Sequence, residues 1–189
     1  MTTPRIRPLA PEHHAPEVRG LLARVPHSPL RTSNLNATVA HHPALFVATA
    51  PFSTALLFNG LLPARDRELV ILRTAHLADS AYVRSHHIPL AHRAGLTEAE
   101  IVRTASGPAA EGWSRHDAAL LAAADELHHR AAVTDETWHR LSESYDTRQL
   151  IEVVVLAGYY RMWSATANSW GVELDPVSTS EEGPDAVGG

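Results

Sequence analysis

The stretch PARDRELVILRTAHLADSAYVRSHHIPLAHRAG, residues 63–95, decides the fold. Pro63 suits a first helical turn, because the N–H it lacks is one that a helix leaves unpaired there anyway. Leu69, Leu72, Ala75 and His76 recur at helical spacing, and Val70 and Ile71 widen that stripe until other elements must cover it. Asp79 or Ser80 offers a side-chain oxygen to cap a second helix running toward Gly95, and Pro89 predicts a kink or break after Ile88. The two segments, 63–78 and 80–92, read as an antiparallel pair. Glu68 lies about three turns before the hairpin and His87 about two turns after it, so their side chains can approach.

Working outward, periodic apolar residues and capping side chains account for most of the chain. Residues 1–33 alternate prolines, histidines and short apolar groups. Residues 17–25 allow a brief helix that PHSP ends, and the whole segment is expected to be an arm or a partly ordered extension. From Asn34 through Phe58 the apolar residues favour short helices broken near Pro43 and Pro51. Thr97 with Glu100, and Asp146 with Gln149, have capping-box spacing. Ser114 to Asp117 begin a helix carrying Leu120, Leu121, Ala124, Leu127 and His128, and Thr134 precedes one through Trp138 and Leu141. Ile151, Val153, Val154, Val155 and Leu156 alone would suit a buried strand. The apolar pattern continues through Tyr159, Tyr160, Met162 and Trp163, too long for a strand, so the reading is a helix ending near Trp170 that is central or lies at a subunit interface. Residues 175–189 are polar and glycine-rich and are expected to be disordered. The fold class is therefore all-α, a compact bundle of about seven helices around the central pair, with the helical domain spanning 34–174.

Composition bounds the function. The 189 residues suit one domain with a substantial core, and 44% hydrophobic against 20% charged residues leaves apolar surface for a partner subunit. A formal net charge of −5 argues against a nucleic-acid partner. The N-terminal residues have no secretory h-region and no stretch reaches membrane-spanning length, so no membrane association and a cytoplasmic location are expected. The chain contains no cysteine, which removes disulfides, thiol nucleophiles and thiolate metal ligands.

The Glu68–His87 pair has a use in proton management. A carboxylate holding one imidazole nitrogen raises the basicity of the other, and partial burial raises a carboxylic acid toward working pH. The alternative is that Glu68 pairs with Arg65 or Arg73 and His87 is a satisfied core histidine. Ser80, Val83 and His87 share one face of the second helix, whereas Tyr82 and His86 point partly around it. The histidines at 76, 86, 87 and 92 do not reproduce the HExxH spacing, so no metal is expected. Trp113 and Trp138 read as core or interface anchors, and Tyr159, Tyr160 and Trp163 as pocket wall or subunit interface.

RDRELVILR, followed by AYVRSHHIPLAHRAGLTEAEI, resembles the carboxymuconolactone decarboxylase and alkylhydroperoxidase superfamily, and the likeness extends to DTRQLIEVVVLAGYYRMWSATANSWGVEL. The resemblance implies an all-helical fold and a homo-oligomer, as a dimer, trimer or hexamer. In the family's peroxidases a glutamate precedes a Cys-x-x-Cys pair and a later histidine, which together form a thiol proton relay. Glu68 and His87 match the glutamate and the later histidine. Ser80 and Val83 stand at the cysteine positions, and Tyr82 replaces the histidine often found between them. Neither serine nor valine can do thiol redox chemistry, so peroxidase activity is not expected.

The decarboxylase branch implies instead a cofactor-free acid–base enzyme acting on a small carboxylated lactone, where loss of carbon dioxide leaves an enolate-like species to be stabilised and protonated. On that reading His87 moves the proton and Glu68 orients it. Ser80 and Tyr82 are candidate donors to a developing oxyanion, with capping and packing as their other roles. Arg73, Val83 and His86 are the substrate-binding candidates, Arg73 having solvent or Asp79 as other destinations. The competing reading is a non-catalytic oligomeric scaffold or small-ligand binding protein that has lost its thiols.

Overall fold

A computed structural model describes residues 3–24 and 33–176, so the PHSP stop and all but the first two residues of the polar tail lie outside the described residues. Among the described residues are nine α-helices and no strand. They are α1 (Pro16–Arg24), α2 (Asn34–Val39), α3 (Pro43–Phe58), α4 (Ala64–Leu77), α5 (Ala81–Arg93), α6 (Glu98–Arg103), α7 (Arg115–Arg130), α8 (Asp135–Ser142) and α9 (Thr147–Trp170). The number exceeds the expected seven because short segments with their own caps, such as α2 behind Ser33 and α6 behind Thr97, stand as separate helices.

The fold is all-α, and α4 is its centre. Leu69, Val70, Ile71, Leu72 and Ala75 are almost wholly removed from solvent, because α5, α7, α9 and a 3₁₀ turn at Thr104–Ser106 pack around the helix. Full burial of one such side chain stabilises by about 1.5–3 kcal/mol. Leu120 and Leu121 of α7 and Val153 and Leu156 of α9 complete the main core. A smaller core forms where Val18 and Leu22 of α1 meet Val39, Ala40 and Phe46.

The turn between α4 and α5 is tight. Asp79 adopts a left-handed backbone (φ 48°), and the Ser80 N–H reaches back to the Ala75 carbonyl at 2.9 Å, the six-to-one bond of a Schellman ending. Ser80, not Asp79, then caps α5. Both capping boxes, at Thr97/Glu100 and Asp146/Gln149, are formed.

Two expected breaks are absent. Pro51 lies within an unbroken α3 and Pro89 within an unbroken α5. Buried residues flank each proline, Phe46 and Leu56 in α3, and His87 and Ala91 in α5. Anchoring on both sides keeps each helix continuous past its proline, at the cost of one lost backbone hydrogen bond.

Candidate functional site

Glu68 of α4 and His87 of α5 meet between their helices. Oε2 of Glu68 lies 2.8 Å from Nδ1 of His87, with Glu68 fully buried and His87 only 5% exposed. A carboxylate without solvent needs charged or hydrogen-bonded partners. Arg67, the next residue, supplies the second by donating from Nε to Oε1 at 3.1 Å. Neither Arg65 nor Arg73 takes that place: Arg65 pairs with Glu100 and Asp117, and Arg73 with Asp125.

Aromatic rings from α9 close one side of the pair. Tyr160 stands edge-on to the His87 ring, with centroids 4.8 Å apart. Burial, reinforced by the negative charge of Glu68, pushes the Tyr160 phenol well above its usual value, so it stays protonated. Tyr159 continues the cluster against Phe52 of α3 at 5.0 Å and Trp163 at 5.9 Å. With Nδ1 of His87 engaged by Glu68, Nε2 is the ring nitrogen left for another partner.

The other candidates separate from this pair. Ser80 is fully buried, and its Oγ accepts the Val83 N–H at 3.4 Å as the α5 cap. Val83 is buried in the main core. Tyr82 and His86 lie about 140° and 100° around α5 from His87 and gather instead at Asp175. The Tyr82 hydroxyl accepts the Leu35 N–H at 3.1 Å and donates to Asp175 at 3.2 Å. His86 Nε2 sits 2.8 Å from Asp175, and its ring lies 4.6 Å from that of Tyr82. Asp175 also accepts the Asn34 N–H at 2.7 Å, so the segment after α9 is strapped across the starts of α2 and α5.

Arg73 is committed elsewhere. Its Nε and Nη2 bind Asp125 at 2.5 and 2.9 Å, and Nη1 donates to the Thr104 and Ala105 carbonyls at 3.0 and 2.8 Å. Gly107 (φ 80°) admits this guanidinium, since a Cβ there would stand 2.8 Å from Nη2.

Sequence reasoning missed Arg67 and Asp175. Adjacent helical residues do not normally face one another, so nothing flagged Arg67 as a partner of Glu68. Asp175 was grouped with the polar tail, and its neighbours lie far away in sequence.

Residues 43–126, which hold both site helices, match the family model described as the Carboxymuconolactone decarboxylase family. Over that part this cysteine-free chain is similar to the carboxymuconolactone decarboxylase family. Solved structures share the fold. An alkylhydroperoxidase AhpD core, a peroxidase-related protein from Ralstonia eutropha JMP134, superposes with a TM-score of 0.77 at 17% identity, covering 92% of this chain and 94% of that one. The debrominase Bmp8, as a cysteine-to-alanine variant in complex with 2,3,4-tribromopyrrole, gives a TM-score of 0.71 at 16% identity, covering 93% of each chain. A peroxidase-related protein from Silicibacter sp. TM1040 gives 0.68 at 12% identity, covering 76% of each. No curated protein matches the sequence.

Proposed function

We propose that the protein is a cofactor-independent acid–base enzyme, a decarboxylase or related lyase acting on a small carboxylated or lactone-type metabolite. The observation that carries this reading is the buried 2.8 Å contact between Glu68 and His87 in a chain without cysteine. The family-model match over residues 43–126 supports it, as does the likeness in fold to a debrominase.

In a decarboxylation the bond to the carboxylate carbon breaks, carbon dioxide leaves, and the electron pair flows into the conjugated carbonyl as an enolate. Protonated His87 then gives its Nε2 proton to carbon and regains one from water. Glu68 holds Nδ1 throughout and stabilises the imidazolium before transfer. Arg67 holds Glu68 in place through its bond to Oε1, and Tyr160 fixes the plane of the ring.

The test is turnover by the purified protein on a panel of carboxylated unsaturated lactones, followed by carbon dioxide release and by deuterium uptake from heavy water. Glu68→Gln and His87→Ala should each lower the rate by about 10²–10⁴-fold, the usual contribution of a positioned acid or base, while helical content and assembly persist. Neither turnover nor deuterium uptake from the intact assembly would leave the scaffold reading in its place.

The same proposal includes a homo-oligomer. Phe58, Leu61 and Ile151 are 46–61% exposed around the junction where the Glu152 carboxylate accepts the Leu61 and Leu62 N–H groups. A second copy covers this apolar surface, and sedimentation should show a dimer, trimer or hexamer. A strictly monomeric species at working concentration would defeat it.

A further inference from the structure

A different flank of α4 borders a cavity of about 220 Å³ between α4, α7 and α9. Its walls are mostly apolar, with Ala124 and Leu127 on α7 and Val154 and Ala157 on α9. Three polar side chains line it: Thr74, His128 and Arg161. Thr74 Oγ1 and His128 Nδ1 are buried and have no hydrogen-bond partner among the described residues. Buried polar atoms are nearly always paired, and an unpaired one destabilises the fold, so two on one cavity point to a missing occupant. Arg161 donates from Nη1 to the Leu127 carbonyl at 3.1 Å, and no carboxylate pairs with it among the described residues.

The backbone keeps this space open. Gly158 sits in the middle of α9, where glycine weakens a helix, yet a Cβ there would meet no heavy atom within 4 Å. Packing therefore does not require a glycine at this position. Its effect is to leave the cavity unfilled.

We propose that this cavity is a second binding site, one that takes a small aromatic carboxylate. A cavity of about 150 Å³ admits a benzene ring, so the larger volume here accommodates a ring with one carboxylate. The ring covers the apolar walls and the carboxylate faces Arg161. The Thr74 hydroxyl and the His128 imidazole pair with ligand oxygen atoms. Burial, and then the charges of Arg161 and His129, hold His128 below the usual histidine value, so it enters as a neutral ring able to accept or donate.

Titration of the full chain with benzoate and 4-hydroxybenzoate, followed by amide chemical shifts, tests the site. Saturable shifts are expected along α7 and α9. Gly158→Leu, which improves helix propensity, should abolish them while leaving the thermal midpoint at or above that of the wild type. Arg161→Gln should weaken benzoate by roughly tenfold, one step on the affinity scale, and leave toluene unaffected. Glu68→Gln should change nothing at this cavity, which separates the result from the acid–base site. Shifts that do not saturate mean a cavity holding water alone and overturn the proposal, as does binding that survives Gly158→Leu.

Discussion

Asp66, in the first turn of α4, and His116 make a second acid–imidazole contact, and it carries a pH signature. His116 Nε2 lies 3.0 Å from Asp66, which also accepts the Tyr145 hydroxyl at 2.5 Å. The bond to Asp66 raises His116 above the usual histidine value against the opposing effect of burial. Burial pushes Asp66 up, but the bonds from His116 and Tyr145 outweigh it and hold the carboxyl below its usual range. The stabilisation from His116 is thus complete below about pH 6.5 and is lost as pH rises through its higher folded value. That from Asp66 is complete above about pH 3.9 and is lost as pH falls through its lower folded value. Urea unfolding from pH 5 to 9 should therefore show a decline toward alkaline pH that is smaller in His116→Gln; equal slopes in the two proteins would contradict it. At the Glu68–His87 contact, Glu68→Ala should destabilise by about 3 kcal/mol, because it leaves His87 buried and Arg67 half-buried without their shared partner. Glu68→Gln keeps the shape and should cost less, which unfolding of both variants will measure.

At the scale of elements, capping set most helix starts. Thr97→Ala removes the side-chain half of a formed capping box at α6, while the Thr97 N–H still donates to Glu100, and should cost about 1 kcal/mol, measurable as a shift in the urea midpoint with an unchanged slope. Such starts were legible because the cap and its partner lie three residues apart, as were the paired helices and the approach of Glu68 to His87. The prolines misled. Pro51 and Pro89 announce breaks locally, but whether a helix is interrupted depends on what anchors each half, and Phe46, Leu56, His87 and Ala91 owe their burial to distant elements. The destinations of Arg73 and Tyr82 were hidden for the same reason. Their partners, Asp125 and Asp175, lie 52 and 93 positions away, and no periodicity encodes a contact across such a span. The cavity beside Gly158 was equally silent, since an isolated helical glycine has no characteristic spacing.

Across the whole molecule, the two termini of the described structure are tied to its centre. The Arg5 N–H meets the Trp170 carbonyl at 2.8 Å, and Asp175 joins α2 to α5 through Asn34, Tyr82 and His86. Asp175→Asn should loosen this strap without disturbing α4, giving faster proteolysis near the carboxyl end at an unchanged thermal midpoint. The encirclement of α4 also has a kinetic consequence. Its amide protons can reach solvent only when the surrounding helices separate, so they should be the slowest in the chain to exchange, at the free energy of global unfolding. Because Glu68 rides on that helix and His87 on its neighbour, their contact has no local route to come apart, and the activity proposed for it should be lost in denaturant together with the fold.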